Sequence, residues 1–335
     1  MSNKVVVLGP TKGNIKSKID DKTIKELNSY AKNYKELELF YVDTSQSIEK
    51  VIEQCKNALV IFPTTIFPEI TFIAEKIPSL KLIQTFSAGT DWLDKIKLSE
   101  LGVDVANNNG ANAVAVAEHA INLMFSVNRK LDQQITSVKN GQWMDDVKGD
   151  IEEFHTLVGK RIGIIGLGRI GSRVAKRLHG WECELVYYDN LVLETKYVQD
   201  SGAKYLELHE LLETSDIITI HVPLDRSTKH MISKNEFKLM KKTAIFINTC
   251  RGPVVDEKAM IEALLNNEIF AAGLDVTEIE PIEKDNPLLK MENVIITPHL
   301  ATRAIESQKN AYENSLKNAT RIVKGEKPQS IIKAV

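Results

Sequence analysis

Short apolar runs rich in β-branched residues alternate with helical patterns along the chain, and this alternation occurs twice. The first series comprises runs that start at Lys4, Leu37, Ala58, Lys81 and Val103. The second series comprises runs that start at Lys160, Cys183, Asp216, Thr243, Phe270 and Asn293. Strands that alternate with helices form parallel sheets covered on both faces. The sequence therefore predicts an α/β protein with two parallel-sheet domains, Rossmann-like or flavodoxin-like.

Length and composition agree with two domain cores. With 335 residues, the chain exceeds the roughly 100–200 residues of one ordinary domain. Hydrophobic residues make up 43% and charged residues 26%, and the formal net charge is −2. This composition argues against a disordered chain. The lack of a basic excess also argues against nucleic acid as a partner.

The amino-terminal apolar run stops at Gly9 and Pro10, which makes it too short for a signal-peptide core or a membrane span. Cys55, Cys183 and Cys250 lie far apart without a CxxC pair. Such spacing fits neither a disulfide framework nor a zinc site, and it is typical of a reducing compartment. We therefore expect a cytoplasmic protein with no bound metal and no membrane partner.

Two segments join the two series. Residues 112–131 are rich in alanine and contain few helix breakers, which predicts one long, largely buried helix that bridges the domains. Residues 132–160 are polar and are expected to be irregular, with Trp143 exposed. This second segment is either an arm that contacts another subunit or a long surface connection, and the sequence leaves both interpretations open.

Three glycines follow the first strand of the second series, at Gly166, Gly168 and Gly171, directly before a helical pattern. The first allows a tight turn, the second lets the backbone approach a pyrophosphate, and the third allows close packing of helix and strand. The amino terminus of the helix would offer unpaired N–H groups to the phosphates. This spacing predicts a dinucleotide site.

The next strand ends at Asp189, eighteen residues after Gly171. A carboxylate at this position can accept hydrogen bonds from the ribose hydroxyls, and it would repel a 2′-phosphate. The chain has no Arg or Lys after Asp189 until Lys196. The predicted cofactor is therefore NAD.

Polar residues follow the later strands of the second series. Arg251, Glu280 and His299 come after three of these strands, and the carboxyl ends of parallel strands are where open sheets bind their ligands. We expect the three side chains to converge at one edge of the sheet.

These motifs together resemble the D-isomer-specific 2-hydroxyacid dehydrogenases, and the resemblance covers nearly the whole chain. In order, the matching segments are GTDWLD from Gly89, NAVAVAEH from Asn112, GLGRIG, HVPL, NTCRGPVVDE, GLDV and TPH. The family has an NAD-binding domain inserted in a substrate-binding domain. The resemblance thus implies a Rossmann domain over 108–299, a substrate-binding (catalytic) domain over 1–107 completed by 300–335, and an active-site cleft between them.

The resemblance also implies roles for the three polar residues. Arg251 would bind the carboxylate of a 2-oxo acid and polarise its carbonyl, for which a planar bidentate cation is suited. His299 would donate a proton to the carbonyl oxygen as hydride arrives from NADH. Glu280 would pair with His299, favour the imidazolium and orient the ring.

Further binding residues follow from the same resemblance. The cofactor contacts that it implies are Arg169, Ile170, His221, Val222, Pro223, Thr228, Thr249, Cys250 and Asp275. Thr and Asp residues at strand ends also often only cap turns, and Cys250 is interpreted as a small residue that fills the strand end rather than as a reactive thiol. The substrate contacts that it implies, besides Arg251, are Ser87, Ala88, Gly89 and Asn112. A simple glycine turn is the alternative for the segment around Gly89.

The expected function is NAD-dependent interconversion of a small 2-oxo acid and its D-2-hydroxy acid, with glyoxylate, hydroxypyruvate and pyruvate as the leading class. Glu280 argues against formate, because formate-oxidising relatives have glutamine there. The segment IFPTTIFP, from Ile61, contains no cation for a phosphate, which argues against phosphoglycerate. The alternatives are a phosphoglycerate dehydrogenase or a non-catalytic NAD-sensing protein resembling a corepressor. We expect a homodimer.

Overall fold

The computed structural model describes residues 3–10, 19, 21–108, 110–143, 154–191 and 195–332. The chain forms two compact units: unit 1 is Met1–Asn112 with Ala304–Val335, and unit 2 is Ala113–Arg303. The expected boundaries placed residues 108–112 in the Rossmann domain and residues 300–303 in the substrate-binding domain. In the structure, residues 108–112 belong to unit 1 and residues 300–303 to unit 2.

Strands and helices alternate within the described residues. The strands are β1 Lys4–Gly9, β2 Glu38–Asp43, β3 Val60–Pro63, β4 Leu82–Gln84, β5 Asp104–Ala106, β6 Arg161–Ile165, β7 Glu184–Tyr188, β8 Lys204–Tyr205, β9 Ile217–Ile220, β10 Ile245–Asn248, β11 Ala271–Leu274 and β12 Val294–Ile296. The helices are α1 Asp21–Ala31, α2 Ile48–Cys55, α3 Ile70–Glu75, α4 Lys95–Glu100, α5 Ala113–Asn128, α6 Leu131–Lys139, α7 Gly171–Leu178, α8 Thr195–Ser201, α9 Leu208–Thr214, α10 Lys234–Leu239, α11 Glu257–Leu265 and α12 Ile305–Val323. This confirms the predicted α/β class.

Unit 1 contains a five-stranded sheet in the order β2-β1-β3-β4-β5, and all of its strand pairs are parallel. Its inner strand β1 is fully buried over Val5–Val7. A strand buried on both faces must be apolar throughout, which explains the unbroken run KVVVL. The carboxyl-terminal helix α12 packs Leu316 and Ala319 into the same core as Val5.

Unit 2 contains a seven-stranded parallel sheet in the order β12-β11-β10-β9-β6-β7-β8. The strand order reverses between β6 and β9, and ligands of open α/β sheets bind at such a reversal, outside the carboxyl ends of the strands. Eleven of the strands overlap the predicted runs. Strand β8 was not predicted; it has only two residues, both exposed.

The segment between the two series differs from its prediction. The expected single helix over 112–131 is α5, which ends at Asn128, and Lys130 then adopts a left-handed conformation with φ 47°. The expectation of irregular structure from residue 132 was wrong as far as Lys139, because α6 occupies these positions. Helix α6 has no buried residue, and the signal that could have predicted it is the helical spacing of Leu131, Ile135 and Val138 in a segment that is otherwise polar. Trp143 is exposed as expected, and residues 144–153 lie outside the described part of the chain.

No helix in the described ranges combines the length and the apolar character needed to cross a lipid bilayer.

Candidate active site

The glycine turn between β6 and α7 has strict steric requirements. Gly166 has φ 90°, and a Cβ there would lie 2.8 Å from the carbonyl oxygen of His221. A Cβ on Gly171 would collide with the carbonyl oxygen of Gly166. At Gly168, in contrast, a Cβ would meet no atom within 4 Å. The turn therefore packs tightly at both ends and leaves open space in the middle, as a backbone cradle for a pyrophosphate requires.

Asp189 follows β7 and is tied to this turn. Its Oδ2 accepts a hydrogen bond of 2.9 Å from the N–H of Leu167, and its Oδ1 accepts one of 3.0 Å from the N–H of Leu191. Each carboxylate oxygen has a second lone pair. The side chain thus orients the turn and can still accept hydrogen bonds from hydroxyl groups.

Arg169 and Ile170 lie between the second and third glycines. Ile170 is the residue that precedes α7. Arg169 is exposed and lines a groove of about 690 Å³. The other cations of that groove are Arg173, Lys176, Arg177 and Lys196. Positive charge therefore lines one side of α7 and exceeds the negative charge of Asp200 in the same groove and of Glu118, which pairs with Arg177 over 3.0 Å; a net positive groove favours an anionic ligand.

The loop after β9 begins with His221, Val222 and Pro223. The ring Nε2 of His221 lies 2.9 Å from Thr219 Oγ1, while its Nδ1 is buried without a hydrogen-bond partner in the described residues. Burial lowers the pKa of His221 to about 3, so the ring is neutral near pH 7. Thr228 is buried, and its hydroxyl donates to the carbonyl of Pro223 over 2.6 Å. Thr228 thus holds the loop in shape.

Strand β10 leads into Thr249, Cys250 and Arg251. The hydroxyl of Thr249 is buried and has no hydrogen-bond partner among the residues described. A buried polar atom without a partner is costly, so this atom fits a site that is completed by a ligand. Cys250 is buried, its Sγ lies 3.2 Å from Asn248 Oδ1, and burial raises the pKa of its thiol to about 11. The thiol therefore stays protonated and packs as a small residue.

Asp275 directly follows β11 and fixes the loop that carries His299. The side chain is 1% exposed. Its Oδ1 accepts hydrogen bonds from Thr297 Oγ1 at 2.6 Å and from the N–H of Leu300 at 2.9 Å, and its Oδ2 accepts one from the N–H of Ala301 at 2.8 Å. Nε2 of His119 lies 2.9 Å from Thr297 Oγ1. The carboxylate thus ties helix α5 and the 297–301 loop to the sheet.

His299 and Glu280 form a direct pair. Nδ1 of His299 lies 2.7 Å from Oε2 of Glu280, and the N–H of His299 donates to the carbonyl of Asp275 over 2.8 Å. Because an ionised carboxylate only accepts hydrogen bonds, Nδ1 must carry the proton. Burial raises the pKa of Glu280, but the hydrogen bond and charge of His299, together with the N–H of Thr277 and the charge of Arg251, hold that pKa below its ordinary value. The arrangement leaves Nε2 to exchange a proton.

Arg251 lies close to this pair. A Cβ on the next residue, Gly252, would collide with the backbone carbonyl of Thr277, so the loop of Arg251 touches the loop that leads to Glu280. The charge of Arg251 also contributes to lowering the pKa of Glu280. Nη1 of Arg251 donates to the carbonyl of Cys250 over 2.6 Å, which fixes one edge of the guanidinium. Unit 2 therefore brings together the three side chains expected to converge.

The remaining predicted residues lie in unit 1, after β4 and before α5. Asn107 Nδ2 donates to the carbonyl of Ala88 over 2.6 Å, and the hydroxyl of Ser87 donates to the carbonyl of Gly89 over 2.9 Å. The loop is held through its carbonyl groups, so its N–H groups are the polar groups it can offer to a ligand. Asn112 is the last residue of the amino-terminal part of unit 1 and is half-buried.

Comparison with known proteins decides the family. Residues 121–301 match the model of the family described as "D-isomer specific 2-hydroxyacid dehydrogenase, NAD binding domain". This match spans more than half of the chain. The chain belongs to the D-isomer specific 2-hydroxyacid dehydrogenases.

Curated relatives of this dehydrogenase family extend the similarity beyond the NAD-binding domain. A glyoxylate reductase from Korarchaeum cryptofilum is 34% identical over 297 residues, which cover 89% of each chain. A hydroxypyruvate reductase from Thermotoga maritima is 35% identical over 298 residues, which cover 87% of this chain and 92% of the relative.

A solved structure agrees with the fold. The crystal structure of a glyoxylate reductase from Paecilomyes thermophila superposes with a TM-score of 0.82 at 26% identity, and the superposition covers 99% of both chains. The predicted family, fold class and enzyme class are thereby confirmed: the dehydrogenase is an NAD-dependent oxidoreductase of 2-hydroxy acids. NAD is confirmed as its cofactor. The open space at Gly168 and the partnerless hydroxyl of Thr249 fit that cofactor.

Two residues of this site, His119 and Thr297, were not predicted; they connect to Asp275. Both lie within motifs that carry the resemblance, NAVAVAEH and TPH. Nothing in their spacing shows that they meet, because 178 positions separate them. Only the folded sheet brings helix α5 to the end of β12.

Proposed function

We propose that the dehydrogenase reduces a small 2-oxo acid of the glyoxylate, hydroxypyruvate and pyruvate class to the D-2-hydroxy acid. NADH, when bound, supplies the hydride. The observation that carries the proposal is the 2.7 Å contact between His299 Nδ1 and Glu280 Oε2, together with the contact between the loops of Arg251 and Thr277. The loop of Arg251 thus adjoins the loop of Glu280, and Glu280 in turn holds the proposed proton donor His299.

Each residue has a chemical role in this proposal. Arg251 binds the substrate carboxylate through the two parallel N–H donors of its planar guanidinium group. His299 donates the proton of Nε2 to the carbonyl oxygen in reduction and removes it from the hydroxyl in oxidation. Glu280 stabilises the imidazolium and keeps the ring oriented. In unit 1, the N–H groups of Ala88 and Gly89 bind a carboxylate oxygen.

The cofactor residues have distinct roles. The turn around Gly168 holds the pyrophosphate, beside Arg169 and Ile170, and Asp189 accepts hydrogen bonds from the adenosine ribose. Val222 and Pro223 contact the adenosine half of the cofactor, while Thr249 and Asp275 lie near the nicotinamide. A buried neutral His221 suits an uncharged adenosine half, because an unpaired buried charge would be costly.

Phosphoglycerate is a poorer candidate. The loop between β3 and α3, from Thr64 to Glu69, contains no Lys or Arg. A phosphate dianion is bound well only where cations or several N–H donors face it. Glyoxylate and hydroxypyruvate, which carry one negative charge, make no such demand.

A substrate panel tests the function. Glyoxylate, hydroxypyruvate, pyruvate and 3-phosphohydroxypyruvate are each mixed with NADH or NADPH, and the nicotinamide absorbance is followed. We expect turnover of at least one of the first three with NADH. Binding of NADH without turnover of any 2-oxo acid would instead identify a sensor, and preference for 3-phosphohydroxypyruvate would overturn the substrate class.

We further propose that the protein works in the cytoplasm as a homodimer. The three cysteines are free thiols, as a reducing compartment requires. Leu131, Ile135 and Val138 are exposed at helical spacing on α6, and Trp143 follows at 68% exposure. A second copy related by a two-fold axis would cover this apolar face.

The mass in solution tests the dimer. Ile135→Glu should convert the dimer to a monomer in light scattering, because it places a charge in the proposed interface. Ile305→Glu changes an 82% exposed apolar residue of unit 1 and should leave the mass unchanged. A wild-type monomer, or a dimer that persists in Ile135→Glu, would contradict this interface.

A further inference from the structure

Unit 2 contains a second histidine–glutamate pair that has no role so far. Nε2 of His230 lies 2.7 Å from Oε1 of Glu278. His230 has φ 53° and His299 has φ 52°, so both histidines occupy the left-handed region that few residues adopt. Glu278 and Glu280 lie in one short loop. This loop therefore holds the carboxylates of both pairs.

Glu278 also anchors the loop to the start of α11. Its Oε2 accepts a hydrogen bond of 3.1 Å from the N–H of Glu257, and its own N–H donates to Glu257 Oε2 over 2.8 Å. Asn286 Nδ2 donates to the other carboxylate oxygen of Glu257 over 2.7 Å. Two reciprocal bonds thus join Glu278 to Glu257, one through the backbone of Glu278 and one through its side chain. Only Ile279 separates it from Glu280.

His230 connects the pair to two other loops. Its N–H donates to the carbonyl of Pro253 over 2.9 Å, just after Arg251. His230 also ends the loop that begins at His221, in which Thr228 is bonded to Pro223. The contact between His230 and Glu278 therefore joins three loops. They are the loop that begins at His221, the loop of Arg251 and the loop of Glu280.

We infer that His230 and Glu278 are positioning residues, which hold the Glu280 loop against the Arg251 loop so that Glu280 stays within hydrogen-bond distance of His299. The inference deepens the proposed function and rests on it for the role of the Glu280–His299 pair. Both side chains are about one-third exposed, 38% for His230 and 30% for Glu278. Solvent screens charges at such sites, so the effect is one of geometry.

The size of the effect follows from the sensitivity of proton transfer to distance. A displacement of about 1 Å in a catalytic group can cost on the order of a hundredfold in rate. Loss of the contact between His230 and Glu278, with the bonds to Glu257 retained, should displace Glu280 by a smaller distance. We expect a decrease in kcat of about tenfold, with little change in the KM for NADH.

Three variants test the inference. His230→Asn keeps a residue that tolerates the left-handed backbone, but its side chain is too short to reach Glu278. His230→Gln has a longer side chain whose amide N–H can donate to the carboxylate, and it should recover most of the lost kcat. His209→Asn, at an exposed histidine of α9, is the matched control and should behave as wild type. The assay uses glyoxylate and NADH.

A second readout does not require activity. The titration of the Glu280 carboxyl can be followed by 13C NMR, with its signal assigned by Glu280→Gln. In His230→Asn the pKa of Glu280, held low by His299, should rise toward its ordinary value, while His209→Asn should not change it. If His230→Asn does not fold, Glu278→Ala takes its place with the same expected rise, because it removes the acceptor for the N–H of Glu257 and the partner of His230 Nε2.

The outcomes distinguish the positioning role of His230 and Glu278 from the proposed function. A raised pKa of Glu280 without turnover of any 2-oxo acid by the wild-type protein would refute the proposed function and keep the positioning role. An unchanged pKa and an unchanged kcat in folded His230→Asn would overturn the inference. A lower kcat with no change in the pKa of Glu280 and no recovery in His230→Gln would also overturn it, because general loss of structure would then explain the effect.

Discussion

Nδ1 of His299 lies 2.7 Å from Oε2 of Glu280, although 19 positions separate the two residues in the chain. The bond assigns the Nδ1 proton to His299, because the carboxylate can only accept. Asp275 supports the same geometry, since it accepts hydrogen bonds from the N–H groups of Leu300 and Ala301, which follow His299. Asp275 thus fixes the backbone that follows His299, and Glu280 orients the ring, with Nε2 as its reactive nitrogen.

Replacement of His299 by alanine should remove the proton donor. Acid–base catalysis by a positioned side chain contributes about 10²–10⁴-fold, so kcat for glyoxylate should fall within that range. The dissociation constant of NADH, measured by nicotinamide fluorescence, should change by less than about threefold, a difference below 1 kcal/mol. Turnover within tenfold of wild type would show that another group donates the proton.

Stability should depend on the charge of Glu280. Its pKa is held below the ordinary value of 4.5 by the hydrogen bond and charge of His299, against the opposing effect of burial. A carboxyl with a lowered pKa stabilises the fold fully above its unfolded pKa, and this contribution is lost as pH falls through the folded pKa. The stability advantage of wild type over Glu280→Gln should therefore shrink below about pH 4.5. Urea unfolding from pH 7 to pH 3 measures it, and a constant difference would contradict the lowered pKa.

Alanine substitutions at Gly168 and Gly171 should differ in effect: the first should weaken NADH binding, and the second should lower the stability of the fold. Gly168→Ala adds a methyl group to open space, so the midpoint of thermal unfolding should hardly change while NADH binding weakens by about tenfold or more, or 1.4 kcal/mol. Gly171→Ala forces a collision with the carbonyl of Gly166 and should destabilise the protein by about 1–3 kcal/mol. Calorimetry and NADH titration check both. Unchanged NADH binding in Gly168→Ala would exclude the turn as the pyrophosphate site.

Asp189→Ala should relax the preference for NADH over NADPH. The variant removes the carboxylate that would repel a 2′-phosphate, so the ratio of kcat/KM for the two cofactors should approach one. NADH itself should bind more weakly, because Leu167 and Leu191 lose their acceptor. An unchanged ratio would show that another residue distinguishes the ribose.

The sequence was sufficient to predict the local elements and the residue types at the strand ends. Buried parallel strands need continuous apolar runs, so β6, β9 and β10 are recognisable from ten residues or fewer. The glycine spacing is similarly local, since it reports on one turn and the helix that follows. Strand β8 was not predicted because it has only two residues, both exposed. Helix α6 was not predicted because its three apolar residues stand in an otherwise polar segment, and none of its residues is buried.

The sequence by itself determined that Arg251, Glu280 and His299 stand after consecutive strands of a parallel sheet, and the ordered motifs determined the family. Only the tertiary structure decided which atoms meet: that Glu280 reaches His299, that Glu278 reaches His230, and that His119 and Thr297 join at Asp275. The physical reason is that strand order and loop conformation set these distances. Both depend on packing between segments that lie up to 178 positions apart, which no local pattern of residues encodes.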